Sequence, residues 1–444
     1  MKKYKKLIPF IFIFILFVIT ILFFVGINMD EVWNYGFSYA IRMGEIPYKD
    51  FNMVVTPFYS LFMTIPLLLW NNYLAIVLFY SLILTVASYL TYKMYKDRGL
   101  ILLLLSLIIY TVITPSYNSF ILVLLLFIIY LESSKFKSKN ILIGVLVALA
   151  ILTKQSIGLF YFIPMIYIGI KTKSLSKRLL GFIIPIIITF GYLLLTHSLL
   201  EFIDLCFLGL LDFTGNSRSI SIISIILYVI MLIVSIKIIS MNKKDVTNYY
   251  ILGAYTIFIP IFDIMHLLYV VFLFGLLIVN NYKITGINIK QLSFVCLSLF
   301  LIVNGANVAL NFSEYPNKLN HLKYKYINKD ILEEIYYVNE YAKDKDLIIY
   351  DDTSYLYTII NNKKSNYLNL LNHGNHGYKG SEKLIKLLEE NNDKEVLILK
   401  STDKKINNNL NQLNKKGYYY IIENYEIVET TDLFYIYRHK NFTN

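Results

Sequence analysis

The chain reads as an all-α polytopic membrane domain, residues 1–310, followed by a small extracytoplasmic α/β domain, residues 311–444. Three observations point there. Hydrophobic residues make up 57% of the chain and charged residues only 16%, where a soluble domain carries about 25% charged residues. Apolar runs close to the roughly 20 residues that cross a bilayer as one helix recur as far as about residue 310. Beyond that, Lys, Asn, Asp and Glu become frequent and the apolar runs shrink to strand length.

The first run, 7–27, follows the basic stretch "MKKYKK". It exceeds the about 7–15 apolar residues of a secretory signal, and no small-residue cleavage pattern follows it. A retained first helix is expected, its basic end in the cytoplasm. Further spans are expected at 73–92, 99–114, 118–131, 140–153, 157–170, 179–197, 219–240, 248–265, 267–281 and 291–310, about eleven in all. The placement of basic residues tests that register. The connections it puts inside hold Lys93, Lys96, Arg98, Lys135, Lys137, Lys139, Lys171, Lys173, Lys177, Arg178, Lys243, Lys244, Lys283 and Lys290. Those it puts outside hold only Arg42, Lys49, Lys154 and Arg218. This is the positive-inside asymmetry. It accounts for much of the net charge of +12 and argues against a nucleic-acid partner.

One apolar stretch breaks the count. Thr56–Trp70, "TPFYSLFMTIPLLLW", would place Lys93, Lys96 and Arg98 outside if it spanned. It carries Pro57 and Pro66, and Pro costs a helix interior about 3 kcal/mol. It is expected to lie in the outer membrane face, so the connection after the first helix becomes a long loop, Asn28–Asn72.

After residue 310, "DLIIYDD" and "EVLILK" read as short buried strands. "DILEEIYYVNEYAK" and "GSEKLIKLLEE" read as amphipathic helices between them, and "GYYYIIENYEIVETTDLFYIYRH" as closing strands. An odd number of spans puts this domain outside. Cys206 and Cys296 lie in apolar surroundings and read as small core residues, with no disulfide framework or zinc spacing.

Polar residues of the membrane half gather on the expected outer side. The first loop holds Asp30, Glu31, Arg42, Glu45, Lys49 and Asp50. Lys154 lies in "ILTKQSIG". Glu201, Asp204, Asp212 and Arg218 follow the seventh span, and Asp263 and His266 lie in "FDIMHLL". Ionisable groups at membrane depth are costly and mark sites. Each also has a plainer reading. Asp30 and Glu31 could end the first helix, and Asp50 could cap the next one. Lys154 could snorkel to head groups. Asp263 and His266, three residues apart, share a helix face and could be a structural pair. Glu201, Asp204 and Asp212 could be merely solvated. His373 and His376 look like a metal pair, but their glycine-bounded loop offers no third ligand nearby in sequence.

The order of "MDE" after the first helix, "RMGEIPYKDF", the proline-flanked helix, "ILTKQSIG" and "FDIMH" resembles the GT-C superfamily of integral-membrane glycosyltransferases. Within it, the chain is similar to the polyprenyl-phosphate-sugar enzymes of the family 39, protein O-mannosyltransferase and aminoarabinose transferase type. The likeness covers roughly 1–310. "TKQ" resembles the "TKG" of the relatives. Many relatives carry an acid near a proline after the third span, where this chain reads "TPSYNSF" with Asn118.

The resemblance implies a sugar donor on a polyprenyl phosphate at the outer face of a bacterial cell membrane, and an acceptor hydroxyl on an unidentified glycan, lipid or protein. A phosphate leaves without a general acid. The protein then supplies a base for the acceptor proton and positive charge for the leaving phosphate. Family position assigns the base to Asp30, with Glu31 and Asp50 as helpers or metal ligands. Arg42, Lys154 and Arg218 are the phosphate candidates, and Asp263 and His266 support them. The resemblance fixes no cofactor, and a divalent metal ion is an open alternative. The competing class is a polymerase or transporter of lipid-linked glycans. A transporter should show internal repeats and broken helices near the midplane, whereas the charge here lies at one face.

Overall fold

The structure is a computed structural model that describes residues 8–24, 29–209, 221–242, 245–259, 261–283, 288–310, 336–341, 343, 345, 347–350, 375–400, 406 and 415–442. The chain divides into two compact units, both discontinuous in sequence. One comprises Met1–Asn28, Leu74–Thr189 and Ser219–Pro316. The other comprises Met29–Tyr73, Phe190–Arg218 and Asn317–Asn444.

The regular elements of the first unit, among its described residues, are all helices. Helix α1, Ile8–Ile19, continues as a π-turn over Thr20–Phe24. Helices α4 (Tyr73–Tyr95) and α5 (Gly99–Ile108) form one long apolar stretch, broken where Lys96 takes a φ of 55°. Then come α6 (Tyr117–Ser133), α7 (Lys139–Ile151), α8 (Gln155–Lys171) and α9 (Leu175–Leu195), the last passing into the second unit at Phe190. After the connection that follows α9, which holds α10 (Leu199–Ile203) of the second unit, come α11 (Ile222–Met241), α12 (Thr247–Ala254), α13 (Ile264–Asn281) and α14 (Ile289–Leu310).

Among the described residues, five stretches are long and apolar enough to cross a membrane: Tyr73–Ile108, α9, α11, α13 and α14. Five shorter apolar helices accompany them, among them Ile8–Phe24 and Phe58–Leu69. Side chains such as Ile187, Ile223, Phe294 and Val303 lie exposed on these helices. A soluble protein rarely leaves so much apolar surface uncovered, and lipid is its natural cover. The expected spans 73–92 and 99–114 fall largely in the single stretch Tyr73–Ile108, and the expected span 248–265 departs in kind. It holds only the eight-residue α12 and a 3-10 turn, Tyr255–Phe258, before Ile259 turns extended at φ −104°, ψ 128°. Ile259 precedes Pro260, and a residue before proline is pushed out of the helical region.

Close helix approach in this unit uses small residues. A Cβ on Gly144 of α7 would strike the carbonyl oxygen of Arg178 on α9, and one on Gly181 would strike that of Ile141. Small side chains at such crossings let backbones meet in lipid, where apolar burial alone drives little association. Arg178, expected among solvated inner-face cations, is 1% exposed. Its guanidinium grips the Glu132 carboxylate at the end of α6 at 2.5 and 2.9 Å. The Tyr250 hydroxyl of α12 donates to the same carboxylate at 3.1 Å. Three helices meet on this one ion pair.

The second unit begins with a departure. The expected loop Asn28–Asn72 contains a 14-residue helix, α2, Met29–Arg42. Asp30 and Glu31 therefore open a new helix rather than end the first one. Acidic residues suit that position, where they face the positive end of the helix dipole. Val32, Tyr35, Phe37 and Ala40 bury its apolar side, and α2 packs on α3, Phe58–Leu69. Helix α3 keeps Pro66 in its last turn. It buries Tyr59, Met63 and Leu67 and exposes Ile65, Leu68 and Leu69. The short α10, Leu199–Ile203, with a π-turn over Asp204–Leu208, also lies in this unit.

The C-terminal part forms a four-stranded mixed sheet in the order β1-β2-β4-β3. Strand β1 (Leu347–Ile349) runs parallel to β2 (Glu395–Leu399), and β4 (Phe434–His439) pairs antiparallel with both β2 and β3 (Tyr425–Thr430). Helix α15, Gly380–Glu390, falls where the sequence placed it. The stretch from Lys415 to Asn424, expected as strand from Gly417, is helix α16. Its Ile421 and the α15 residues Leu384 and Leu388 share a core with Val396, Ile398 and Tyr437. Helix periodicity won over the β-propensity of three successive tyrosines because one face of that segment had a core to cover. Of the expected helix "DILEEIYYVNEYAK", residues 336–341 are helical, and 330–335 lie outside the described residues.

Candidate functional site

The candidate residues fall into the two units, and each group has its own geometry. In the second unit, Asp30 sits in the first turn of α2, partly exposed. Glu31 is 1% exposed. The Asn34 amide reaches back to the backbone carbonyl of Asp30, and the Ser38 hydroxyl donates to Asn34 O at 2.8 Å, so α2 turns its small polar groups onto its own backbone. Arg42 ends the helix. Its Nε donates to the Leu67 carbonyl at 3.0 Å, which satisfies one of the orphan carbonyls at the end of α3. A residue expected to bind phosphate thus also works as a helix cap.

Asp50 neither caps the following helix nor stands in a cluster of acids. Its Oδ2 accepts the Ile46 backbone N–H at 2.7 Å, and its own N–H donates to Ile46 O at 2.9 Å. The cap of α3 is Pro57. Within the same turn Tyr48 adopts φ 70°, a strained conformation for a bulky residue. Three contacts hold it: its N–H donates to Phe51 O at 2.9 Å, its hydroxyl donates to Val55 O at 2.7 Å, and its ring meets Phe202 edge-on at 5.1 Å. Burial pushes its phenol pKa up, so it stays protonated and can donate.

The connection after α9 is not simply solvated. Glu201 is exposed, but Asp204 accepts the Tyr378 N–H at 3.2 Å and the Lys383 ammonium. Asn52 donates to Asn375 O at 2.7 Å. The segment 375–383 therefore ties the first connection and the α10 region together within one unit. His376 in that segment is 7% exposed. Arg218, Asp212 and His373 lie outside the described residues. Cys206 is fully buried and Cys296 partly so, both as thiols.

In the first unit, Lys154 is the N-cap residue of α8. Its ammonium donates to Oδ1 of Asn118 and stands 5.2 Å from the centroid of the Tyr117 ring. Asn118 is fully buried in the first turn of α6. That turn is built by its serines: Ser116 Oγ accepts the Ser119 N–H at 3.3 Å, and Ser119 Oγ accepts the Ser116 N–H at 3.3 Å. The lysine thus joins the N-termini of two helices, each carrying positive dipole charge. Sequence reasoning named both residues without pairing them; both lie at the same expected membrane face, which was the one available signal.

Asp263 is the N-cap of α13. Its Oδ1 accepts the His266 N–H at 2.7 Å and lies 2.8 Å from His266 Nδ1. Burial raises the Asp263 carboxyl pKa, but the hydrogen bonds and charge of His266 outweigh burial and leave it below its ordinary value. The plainer reading of these two residues, a structural pair on one helix face, describes this geometry. Among the described residues no three His, Cys, Asp or Glu side chains converge as metal ligands.

No family model matches the chain, and no curated protein matches it. A crystal structure of ArnT from Cupriavidus metallidurans bound to undecaprenyl phosphate does match, at a TM-score of 0.56 over 99% of each chain and 10% sequence identity. The fold is similar to that of ArnT. At this identity the likeness concerns the backbone, and it spans the helical part and the C-terminal sheet together. The expectation drawn from "MDE", "RMGEIPYKDF" and "ILTKQSIG" is thus met at the level of fold. The fold and the apolar helices together make this an integral membrane protein.

Proposed function

We propose that the chain is a glycosyltransferase that moves a sugar from a polyprenyl-phosphate carrier to an acceptor hydroxyl at the outer membrane face. The observation that carries this reading is the Lys154 locus. An ammonium and two helix N-termini make a ready site for an anion, at the end of membrane helices where a lipid-borne phosphate would be presented. The ArnT-like fold supports the reading, since the matched ArnT binds undecaprenyl phosphate.

In the reaction the acceptor oxygen bonds to the anomeric carbon while the bond from that carbon to the phosphate oxygen breaks. The bonding pair leaves on the phosphate, whose charge Lys154 stabilises. The acceptor proton passes to the Asp30 carboxylate. Asp30 is partly exposed and can meet an acceptor, whereas Glu31 is sealed in the packing of α2. Arg218 remains a phosphate candidate. Arg42 and Asp50 shape the loop, and the Asp263–His266 pair fixes the start of α13. The test is incubation of the purified protein with radiolabelled polyprenyl-phosphate sugars. Release of free polyprenyl phosphate with transfer of label is expected. A folded protein that leaves a broad panel of such donors intact would refute the reading.

A further inference from the structure

Helices α8, α11 and α12 leave between them a groove of about 650 Å³, lined almost entirely by apolar and aromatic side chains. Its origin is local. Pro164 of α8 has no N–H to offer the carbonyl of Phe160, four residues before it. Gly253 of α12 seats against that carbonyl; a Cβ there would stand 2.7 Å from the oxygen. Tyr228 of α11 stacks on Phe258 at 4.6 Å, and Tyr167 meets Tyr249 edge-on at 5.7 Å. The short α12 is thus held on α8, while aromatic rings space it from α11.

Protein interiors are close-packed, and an apolar hollow gives water too few partners to fill it. A hydrocarbon chain is the complementary occupant among helices that cross a membrane. The charge beside the groove says which lipid. Lys171 holds its ammonium 5.9 Å from the centroid of the groove-lining Tyr167. Lys237 directly follows the groove residue Ile236 on α11, and both lysines are exposed. Basic groups beside a groove between membrane helices recognise anionic head groups. This end of α8 is 17 residues from Lys154, about 25 Å along the helix axis at 1.5 Å per residue, so these cations serve a different phosphate from the one assigned to Lys154.

We propose that the groove is a binding site for an anionic phospholipid, with an acyl chain against the tyrosines and the head-group phosphate at Lys171 and Lys237. The site is independent of the sugar-transfer reading. The test reconstitutes the full-length protein in nanodiscs of phosphatidylcholine with a minority of phosphatidylglycerol, then counts retained lipids by native mass spectrometry after gentle delipidation. Phosphatidylglycerol should be retained over phosphatidylcholine. The Lys171→Gln/Lys237→Gln variant, altered only at exposed positions, should retain it less well, by roughly fivefold for each lysine. Leu232→Trp, which fills the groove, should lose it with both lysines intact. Equal retention of the two lipids, or undiminished retention in the double lysine variant, overturns the proposal. So does loss of added polyprenyl phosphate in place of phosphatidylglycerol on Leu232→Trp, which would give the groove to the donor chain. A change of oligomeric state in that variant with lipid unchanged would give it to a second copy and overturn the proposal likewise.

Discussion

Asp30 and Glu31 are neighbours in one turn of α2, yet only Asp30 keeps contact with solvent. A base must reach the proton that it takes, and successive helical residues point about 100° apart. Asp30→Asn keeps the shape of the side chain and removes the proton-accepting charge. Turnover at saturating donor is expected to fall by about 10²–10⁴-fold, with donor binding and thermal stability nearly unchanged. Glu31→Gln should lower thermal stability more than Asp30→Asn does and turnover less. Near-wild-type turnover in Asp30→Asn would place the base elsewhere. Lys154 is tested by donor dependence. Lys154→Met removes the ammonium that lies against Asn118, and apparent donor affinity should weaken by about 1.5–3 kcal/mol, the worth of a charge-assisted hydrogen bond. Lys154→Arg should recover part of it. An unchanged donor dependence in Lys154→Met would return this lysine to a snorkelling role.

Between elements, the buried Glu132–Arg178 pair ties α6, α9 and α12 together through Tyr250. Removing one partner leaves the other charge buried and uncompensated, at a cost of about 3–5 kcal/mol. Arg178→Met should therefore lower the Tm in detergent markedly, and Glu132→Gln/Arg178→Met should regain much of the loss. A double variant no better than Arg178→Met would show that the two side chains act independently. This pair also marks where the sequence stops being readable. Helix positions followed from apolar runs because lipid demands continuous apolar length. Arg178 stands in "KTKSLSKRLL" beside three lysines, and its acid partner is 46 residues away, so nothing local separates it from them. Helix α2 was hidden for a different reason. "MDEVWNYGFSYAIR" is too polar for a span and carries Gly and Asn, so only its packing on α3 reveals it. Asp50 and Asp204 were visible as acids, but their partners, a backbone N–H four residues back and a lysine 179 residues on, depend on loop and tertiary geometry.

For the whole molecule, the open quantity is orientation. The fold supplies membrane helices, and the Lys/Arg asymmetry of the connections supplies a direction. If the proposed reaction runs at the outer face, the N-terminus and the α6–α7 turn lie in the cytoplasm, and the C-terminal sheet with α15 lies outside. Ser138 is exposed in the α6–α7 turn and Lys386 is exposed on α15. Single cysteines at these positions, in a background with Cys206 and Cys296 replaced, can be probed on intact cells with an impermeant thiol reagent. Lys386→Cys should label without detergent, and Ser138→Cys only after the membrane is opened. Only labelling separates an inverted molecule from a correct one, because inversion would exchange the two results while leaving every intramolecular contact unchanged. It would also carry Lys154 away from any donor presented outside. The same two cysteines therefore test both the direction of the helices and the side on which the transfer reaction can occur.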